Sequence, residues 1–313
     1  MIEAEIKKQK FGSQPKSLYE PIRYIMSLGG KRLRPLLTLI SYSLYKDDAE
    51  KIISYAAAVE AFHNFTLLHD DIMDKAPLRR GKKTVHEKWN VNTAILSGDV
   101  MLVKVYEIFS QLDNGKLKPV LKKFNQCAAE VCEGQQWDME FETKKKVAEQ
   151  EYLEMIRQKT AVLLGFSLEL GAMLADASEN DCKALYDFGV NIGIGFQLKD
   201  DLLDVYADKK KFGKQVGGDI LANKKTFLLI KALELAKGKR KKELEDWIGA
   251  KKFDKRKKIQ AVTSIYNELN IKEISELKMN EYFQRGFSIL SSLENKKANS
   301  LKEFANNLIE RES

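Results

Sequence analysis

The distribution of proline constrains this chain more than any other feature. All five prolines (Pro15, Pro21, Pro35, Pro77 and Pro119) fall in the first 119 of 313 residues. Proline lacks a backbone donor and clashes with the preceding turn, so helix interiors reject it. Beyond Pro119 no helix is forced to break. There, apolar side chains recur at steps of three and four, as in Tyr152, Met155, Ile156, Val162 and Leu163, or Leu228, Leu229, Ala232, Leu233 and Leu235. That is the period of one helix face, and period-two alternation is rare, so the expected fold class is all-α. A chain of this length can bury a large core as one big domain or two ordinary ones.

Within that helical pattern stands Leu67-Leu68-His69-Asp70-Asp71-Ile72-Met73-Asp74. On a helix, Asp70 and Asp74 share a face one turn apart. Like charges so spaced cost about 0.2–0.5 kcal/mol, which a bound cation offsets. One such triplet reads equally as a solvated acidic face. A second stands behind the apolar run Ile192–Leu198: Lys199-Asp200-Asp201-Leu202-Leu203-Asp204. With 18 aspartates in the chain, D-D-x-x-D is expected by chance only about 0.06 times. Hard oxygen donors without Cys or an obligatory His suit Mg²⁺, with phosphate oxygens and water completing its shell. Two such clusters facing each other would hold several divalent ions around one polyphosphate.

Basic groups flank these acids. A helix from near Pro21 is expected to stop at Gly29-Gly30. Lys31-Arg32-Leu33-Arg34-Pro35 comes next, with Pro35 in the first turn of another helix. Three cations against paired glycines read as an anion cradle or an ordinary basic loop. The helix expected over Ala56–Asp74 carries His63 seven residues before Asp70, on roughly the same face; a lone His there is more often core than ligand. Phe62 and Phe65, lower on the same helix, read as packing. Pro77 is expected to end this helix, and Arg79-Arg80-Gly81 can pair with the acids or clamp phosphate. Asn114-Gly115 reads as a turn, and Pro119–Met139 and Gln150–Ala175 as amphipathic segments. Lys159-Thr160 interrupts an apolar stretch where an unpaired cation is costly. Gly189, Gly193 and Gly195 permit close helix packing. Lys209–Lys211, Lys214, Gly217-Gly218 and Lys224-Lys225-Thr226 form a second basic loop.

The net charge of +8 comes largely from Lys237–Lys242 and Lys251–Lys258. These runs lack interleaved aromatics and any nucleic-acid motif, so they read as solvated faces and no nucleic-acid partner is expected. Positive charge also steers a phosphorylated substrate. Cys127, Cys132 and Cys182 have no metal-ligand spacing and read as buried thiols in a reducing compartment. The acidic, polar start Met1-Ile2-Glu3-Ala4-Glu5 leads to the expectation of no signal peptide, and no apolar run approaches the ~18 residues of a membrane span. A cytoplasmic protein without stable membrane insertion is expected.

The motifs Gly29-Gly30-Lys31-Arg32-Leu33-Arg34-Pro35, His63, Asp70-Asp71-x-x-Asp74, Arg79-Arg80-Gly81, Gly134-Gln135-x-x-Asp138, Lys159-Thr160 and Gly195-Phe196-Gln197-x-x-Asp200-Asp201-x-x-Asp204 resemble, in order and spacing, those of the trans-isoprenyl diphosphate synthases, or polyprenyl synthetase family. The likeness is strong over about 15–230 and weaker in the helical part at about 240–313. It implies a single domain over 1–313, an all-helical isoprenoid synthase fold around a deep central cavity, and a homodimer. It implies three Mg²⁺ ions, with Mn²⁺ as a substitute, held by Asp70, Asp74 and Asp200 with Asp71 and Asp204 in support. Arg79, Lys159, Thr160, Gln197, Lys214 and Lys224 match positions that hold the allylic diphosphate or its metals. Lys31, Arg34, His63 and Arg80 match the isopentenyl diphosphate pocket. Asp70, Asp74, Asp200, Lys159 and Arg79 then carry ionisation; isopentenyl diphosphate attacks the allylic cation, a proton is lost, and the chain grows by five carbons. No side chain stands out as general base.

The resemblance also implies that residues five and eight before Asp70, Phe65 and Phe62, face the growing chain. A bulky Phe65 without an insertion in the first motif resembles geranylgeranyl-type synthases: C20 is expected first, then C15, with a longer-chain synthase as the alternative. A terpene cyclase would not need the isopentenyl pocket, and a non-catalytic subunit would lack acids in one motif. Asn90 stands where glycine is common in the family, and a left-handed turn is expected there.

Overall fold

The computed structural model describes residues 1–9, 11–207, 216–293 and 298–310. Its elements run α1 (Ile2–Lys8), α2 (Lys16–Ser27), α3 (Leu33–Ser43), a 3₁₀ turn (Ala49–Ile52), α4 (Ile53–Met73), β1 (Leu78–Arg79), β2 (Lys82–Lys83), α5 (Val85–Lys88), α6 (Val91–Phe109) and α7 (Asn114–Thr143). Then come α8 (Glu149–Ile156), a π-helical turn (Arg157–Ala161), α9 (Val162–Leu174), α10 (Glu179–Tyr206), α11 (Gly218–Ala222), α12 (Phe227–Leu235), α13 (Gly238–Gly249), α14 (Lys255–Glu268), α15 (Ile271–Ser291) and α16 (Ala298–Glu310). Among the described residues the only sheet is the antiparallel pair β1–β2. The all-α expectation holds.

The chain divides into two compact units, Met1–Gln126 with Phe166–Tyr186, and Cys127–Gly165 with Asp187–Ser313. The first is built on α4. Ala56, Ala57, Ala58 and Ala61 are buried along it; alanine favours helix and lets neighbours approach closely. Helices α3 and α6 pack on α4, α2 on α6, and α1 on α4. Below the acidic end, Phe124 gathers an aromatic cluster, with centroids 5.0 Å from Phe62, 5.1 Å from Phe109 and 5.8 Å from Phe166. Its largely edge-on contacts suit ring quadrupoles. In the second unit, Leu228, Leu229 and Ala232 of α12 pack with Val205, Ile220, Val262, Ile265 and Tyr266. A Cβ on Gly189 would stand 2.8 Å from the Gly165 Cα, so this glycine permits the close packing expected of it.

Local expectations fail where backbone groups find other partners. Helix α2 begins at Lys16 and includes Pro21. Asn114-Gly115 opens α7 rather than making a turn, because the Asp113 carbonyl accepts the amides of Lys116 and Leu117 at 2.8 and 2.9 Å. Helix α4 stops before Pro77: Lys75 is left-handed (φ 50°), and the Ala76 amide bonds back to the Asp71 carbonyl at 2.9 Å, a Schellman ending. Asn90 is extended (φ −168°), not left-handed, and its side chain caps α6 by accepting from the Thr93 amide at 2.8 Å. Cys127 and Cys182 are buried, but Cys132 is exposed, since it lies on the outward side of α7.

Candidate active site

In the first unit, Asp70, Asp71 and Asp74 occupy the last turn and cap of α4. Helix carbonyls already make that end negative, so three carboxylates there are doubly unfavourable without a cation. Their burial divides them. Asp71 is 2% exposed and is gripped by Arg79, with Nε 2.9 Å from both carboxylate oxygens and Nη2 2.7 Å from Oδ1. Asp70 is half-buried and Asp74 exposed. Arg79 ends β1; Arg80 (φ 52°) and Gly81 (φ 73°) make the two-residue left-handed turn that tight hairpins favour.

That turn brings Arg80 to the glycine pair. Its guanidinium donates to the Gly29 carbonyl, and a Cβ on Gly30 (φ 136°) would meet it at 2.8 Å. Arg34 Nη1 lies 3.1 Å from His63 Nε2. Burial first, and then Arg34, Arg80, Arg79 and Arg32, hold the His63 imidazole well below its usual pKa. His63 is therefore neutral, Nε2 accepts from Arg34, and the proton sits on Nδ1. Lys31 is exposed at the mouth of this cradle. Such a concentration of cations around a neutral ring fits an anion. Lower on α4, Phe65 (8% exposed) has its centroid 5.7 Å from Phe62 and 4.7 Å from His69, whereas Phe62 lies wholly inside the aromatic cluster.

The second unit carries the second triplet near the end of α10. Asp201 is 4% exposed and accepts the Tyr152 hydroxyl; burial pushes its carboxyl up to about 7. Gln197 Nε2 reaches it at 3.5 Å, and the Thr160 hydroxyl donates to Gln197 Oε1 at 3.4 Å. Lys159 in the π-helical turn finds the partner an apolar stretch demands, Asp138 Oδ2 at 2.6 Å. A Cβ on Gly134 would collide with the Lys159 backbone, so α7 and the turn cross at that glycine. The π-helical turn interrupts the amphipathic segment Gln150–Ala175, and such turns often mark functional sites. Asp204 Oδ2 accepts the Asp219 amide at 3.0 Å.

Two acids join the site that the sequence alone does not single out. Asp138 lies inside a motif with no role attached to it, and Asp219 has no signal beyond the preceding Gly217-Gly218. Burial raises the Asp219 carboxyl; Lys224 opposes this, and Asp204, Asp138 and Asp200 reinforce it. Asp138, Asp200 and Asp204 therefore lie close enough to Asp219 to act on its charge. The 218–222 helix beneath them is capped by buried Lys258, whose Nζ lies 2.7 Å from Asn223 Oδ1 and 3.5 Å from the Leu221 carbonyl. The basic tail thus contributes a supporting cation. Lys214, another candidate, lies outside the described residues.

Every donor in these clusters is a carboxylate, which fits a hard divalent ion. Among the described residues no three His, Cys, Asp or Glu side chains converge to hold one alone.

The sequence profile of the polyprenyl synthetases matches residues 15–266. The chain belongs to the polyprenyl synthetase family, a metal-dependent family, and is a prenyltransferase with the all-α isoprenoid synthase fold. It is 47% identical over 235 residues to the short chain isoprenyl diphosphate synthase of Methanocaldococcus jannaschii, spanning 75% of this chain and 72% of that one. It is 46% identical to the geranylgeranyl pyrophosphate synthase of Geoglobus acetivorans, over 74% and 72% of the two chains. A crystal structure of a geranylgeranyl pyrophosphate synthase matches with a TM-score of 0.94 at 42% identity, covering 100% of this chain and 97% of that one. No helix among the described residues is long and apolar enough to cross a membrane.

Proposed function

We propose that this prenyltransferase condenses isopentenyl diphosphate with an allylic diphosphate (dimethylallyl, geranyl or farnesyl) and releases mainly a C20 product. The reading rests on one observation above others: in both D-D-x-x-D motifs the middle acid is turned inward and bonded, while the outer acids stay at the end of a long helix. Asp70 and Asp74, with Asp200 and Asp204, are the ligands we assign to three Mg²⁺ ions, for which Mn²⁺ can substitute. Asp71 supports these ligands while holding Arg79. An ion that keeps its waters and takes phosphate oxygens needs few carboxylates from the chain, in keeping with sites that are incomplete without substrate. When bound, Mg²⁺ supplies Lewis-acid charge to the departing diphosphate.

Arg79, Lys159 and Lys224, with Thr160 and Gln197, orient the allylic diphosphate and take up charge as its C1–O bond breaks. Lys31, Arg34, His63 and Arg80 hold the isopentenyl diphosphate so that its double bond faces the allylic C1. Neutral His63 accepts from Arg34 Nη1 and so holds that guanidinium in place beside the cradle. Phe65 forms the floor that stops growth, supported by Phe62; Phe65→Ala should shift products beyond C20, and an unchanged chain length would remove that assignment. We also assign both units to one catalytic domain. The enzyme is proposed to act in the cytoplasm as a homodimer, a second copy covering the exposed apolar side chains Val91, Ile95, Val103 and Tyr106 of α6. The test is diphosphate release from geranyl diphosphate with and without isopentenyl diphosphate. Release only when both are present supports condensation; equal release without isopentenyl diphosphate would indicate a cyclase.

A further inference from the structure

One buried ion cluster lies outside the substrate contacts assigned above. Arg32, 7% exposed, is left-handed (φ 46°, ψ 39°) although it is not glycine. Such a conformation costs on the order of 1–3 kcal/mol and persists only where its surroundings over-determine it. Here they do. Arg32 Nη1 meets Glu60 Oε1 at 2.7 Å, Nε meets Glu3 Oε1 at 2.7 Å, and Nη2 donates to the Met26 carbonyl at 2.6 Å. These anchors lie in three elements: α4, α1 and the last turn of α2. Glu60 is 2% exposed and also accepts from Asn64 Nδ2 at 3.1 Å.

Glu60 and His63 are three residues apart and therefore share one face of α4. That face holds Arg32 through Glu60 and Arg34 through His63. The left-handed residue between Lys31 and Leu33 reverses the chain locally, burying Arg32 while Lys31 stays exposed. A guanidinium buried beside Arg34 and Arg80 needs its own counter-charge, or it would repel the cradle apart. Glu60 supplies that charge.

We propose that Arg32 and Glu60, with Glu3 completing the clasp, are positioning residues that set the Gly29–Arg34 turn and so aim Lys31 and Arg34 at isopentenyl diphosphate. This rests on the assignment of that diphosphate to Lys31, Arg34, His63 and Arg80. The clasp touches no substrate and acts through the backbone of its neighbours. It also ties the N-terminal helix, through Glu3, to the binding of one substrate only.

The test measures KM for each substrate and thermal stability in three variants of the full chain. Arg32→Met with Glu60→Met replaces the ion pair by packed apolar side chains, an exchange that often preserves stability. Its KM for isopentenyl diphosphate should rise about 10–100-fold, the scale of a misplaced contact group, with KM for geranyl diphosphate and the melting temperature little changed. Glu3→Ala removes only the half-exposed anchor, and should give a smaller rise of the same selectivity. Arg34→Ala is the control for the underlying assignment. If Arg34→Ala leaves KM for isopentenyl diphosphate unchanged, the pocket assignment has failed. If it raises that KM while the folded Met pair does not, the clasp is structural only and the inference is overturned. Should the Met pair not fold, Glu3→Ala decides by the same criterion.

Discussion

The two acidic motifs share a spelling and a position near the C-terminal end of a long helix, but their middle acids are held in opposite ways. Asp71 is held by a guanidinium that grips both carboxylate oxygens. Asp201 is held by a phenol, with burial pushing its carboxyl up to about 7. The first arrangement places a buried carboxylate in an ion pair with Arg79 beside the outer acids. The second places a group that gains or loses its charge with pH. A repeated motif is therefore not a repeated environment: Asp71 and Asp201 each adapt their helix to its own surroundings.

The comparison is tested most forcefully at the outer acids. Asp70→Asn and Asp200→Asn should each lower turnover by about 10²–10³-fold or more, with far-UV circular dichroism unchanged; a variant with full activity would remove that acid from the metal role. At the inner acid of the first motif the effect should fall on stability. Asp71→Ala leaves Arg79 without its buried partner and should cost about 3–5 kcal/mol in urea unfolding. Tyr152→Phe removes one hydrogen bond from a buried group and should cost about 1–3 kcal/mol.

The smallest effect is a change of slope with pH. The Asp201 carboxyl has an ordinary value of 3.8 and a folded value of about 7. Between those values the folded chain keeps a proton that the unfolded chain has lost. This group's contribution to stability is therefore present in full below about 4, falls as pH rises toward 7, and is flat above. Asp201→Asn stays neutral throughout. Its melting temperature, measured without divalent ions, should exceed that of the unaltered protein at about pH 8 and approach it at about pH 4.5. A gain confined to acid pH would contradict the buried, proton-sharing environment.

Much of the site is legible in the sequence because it is local. D-D-x-x-D at helical spacing, His63 two turns below, and Gly29-Gly30 beside Lys31 and Arg34 all declare themselves within a few residues. The hidden part depends on distant segments. Asp219 joins the second cluster only because the 218–222 helix packs back on Asp204. Lys258, in a stretch that reads as solvated charge, is buried because it caps that helix. The π-helical turn at Lys159 answers the close approach of Gly134 from another helix, which no periodicity encodes. Asn90 departs from expectation because an asparagine side chain can serve either a left-handed turn or a helix cap. Its neighbours in space, not its neighbours in sequence, decide between the two.

The measurement that bears most directly on the account is the length of the product. Purified protein is incubated with Mg²⁺, labelled isopentenyl diphosphate and, in turn, dimethylallyl, geranyl or farnesyl diphosphate, and the dephosphorylated products are sized. The account predicts Mg²⁺-dependent elongation that converges on C20. No incorporation of isopentenyl units with any of the three primers would contradict it.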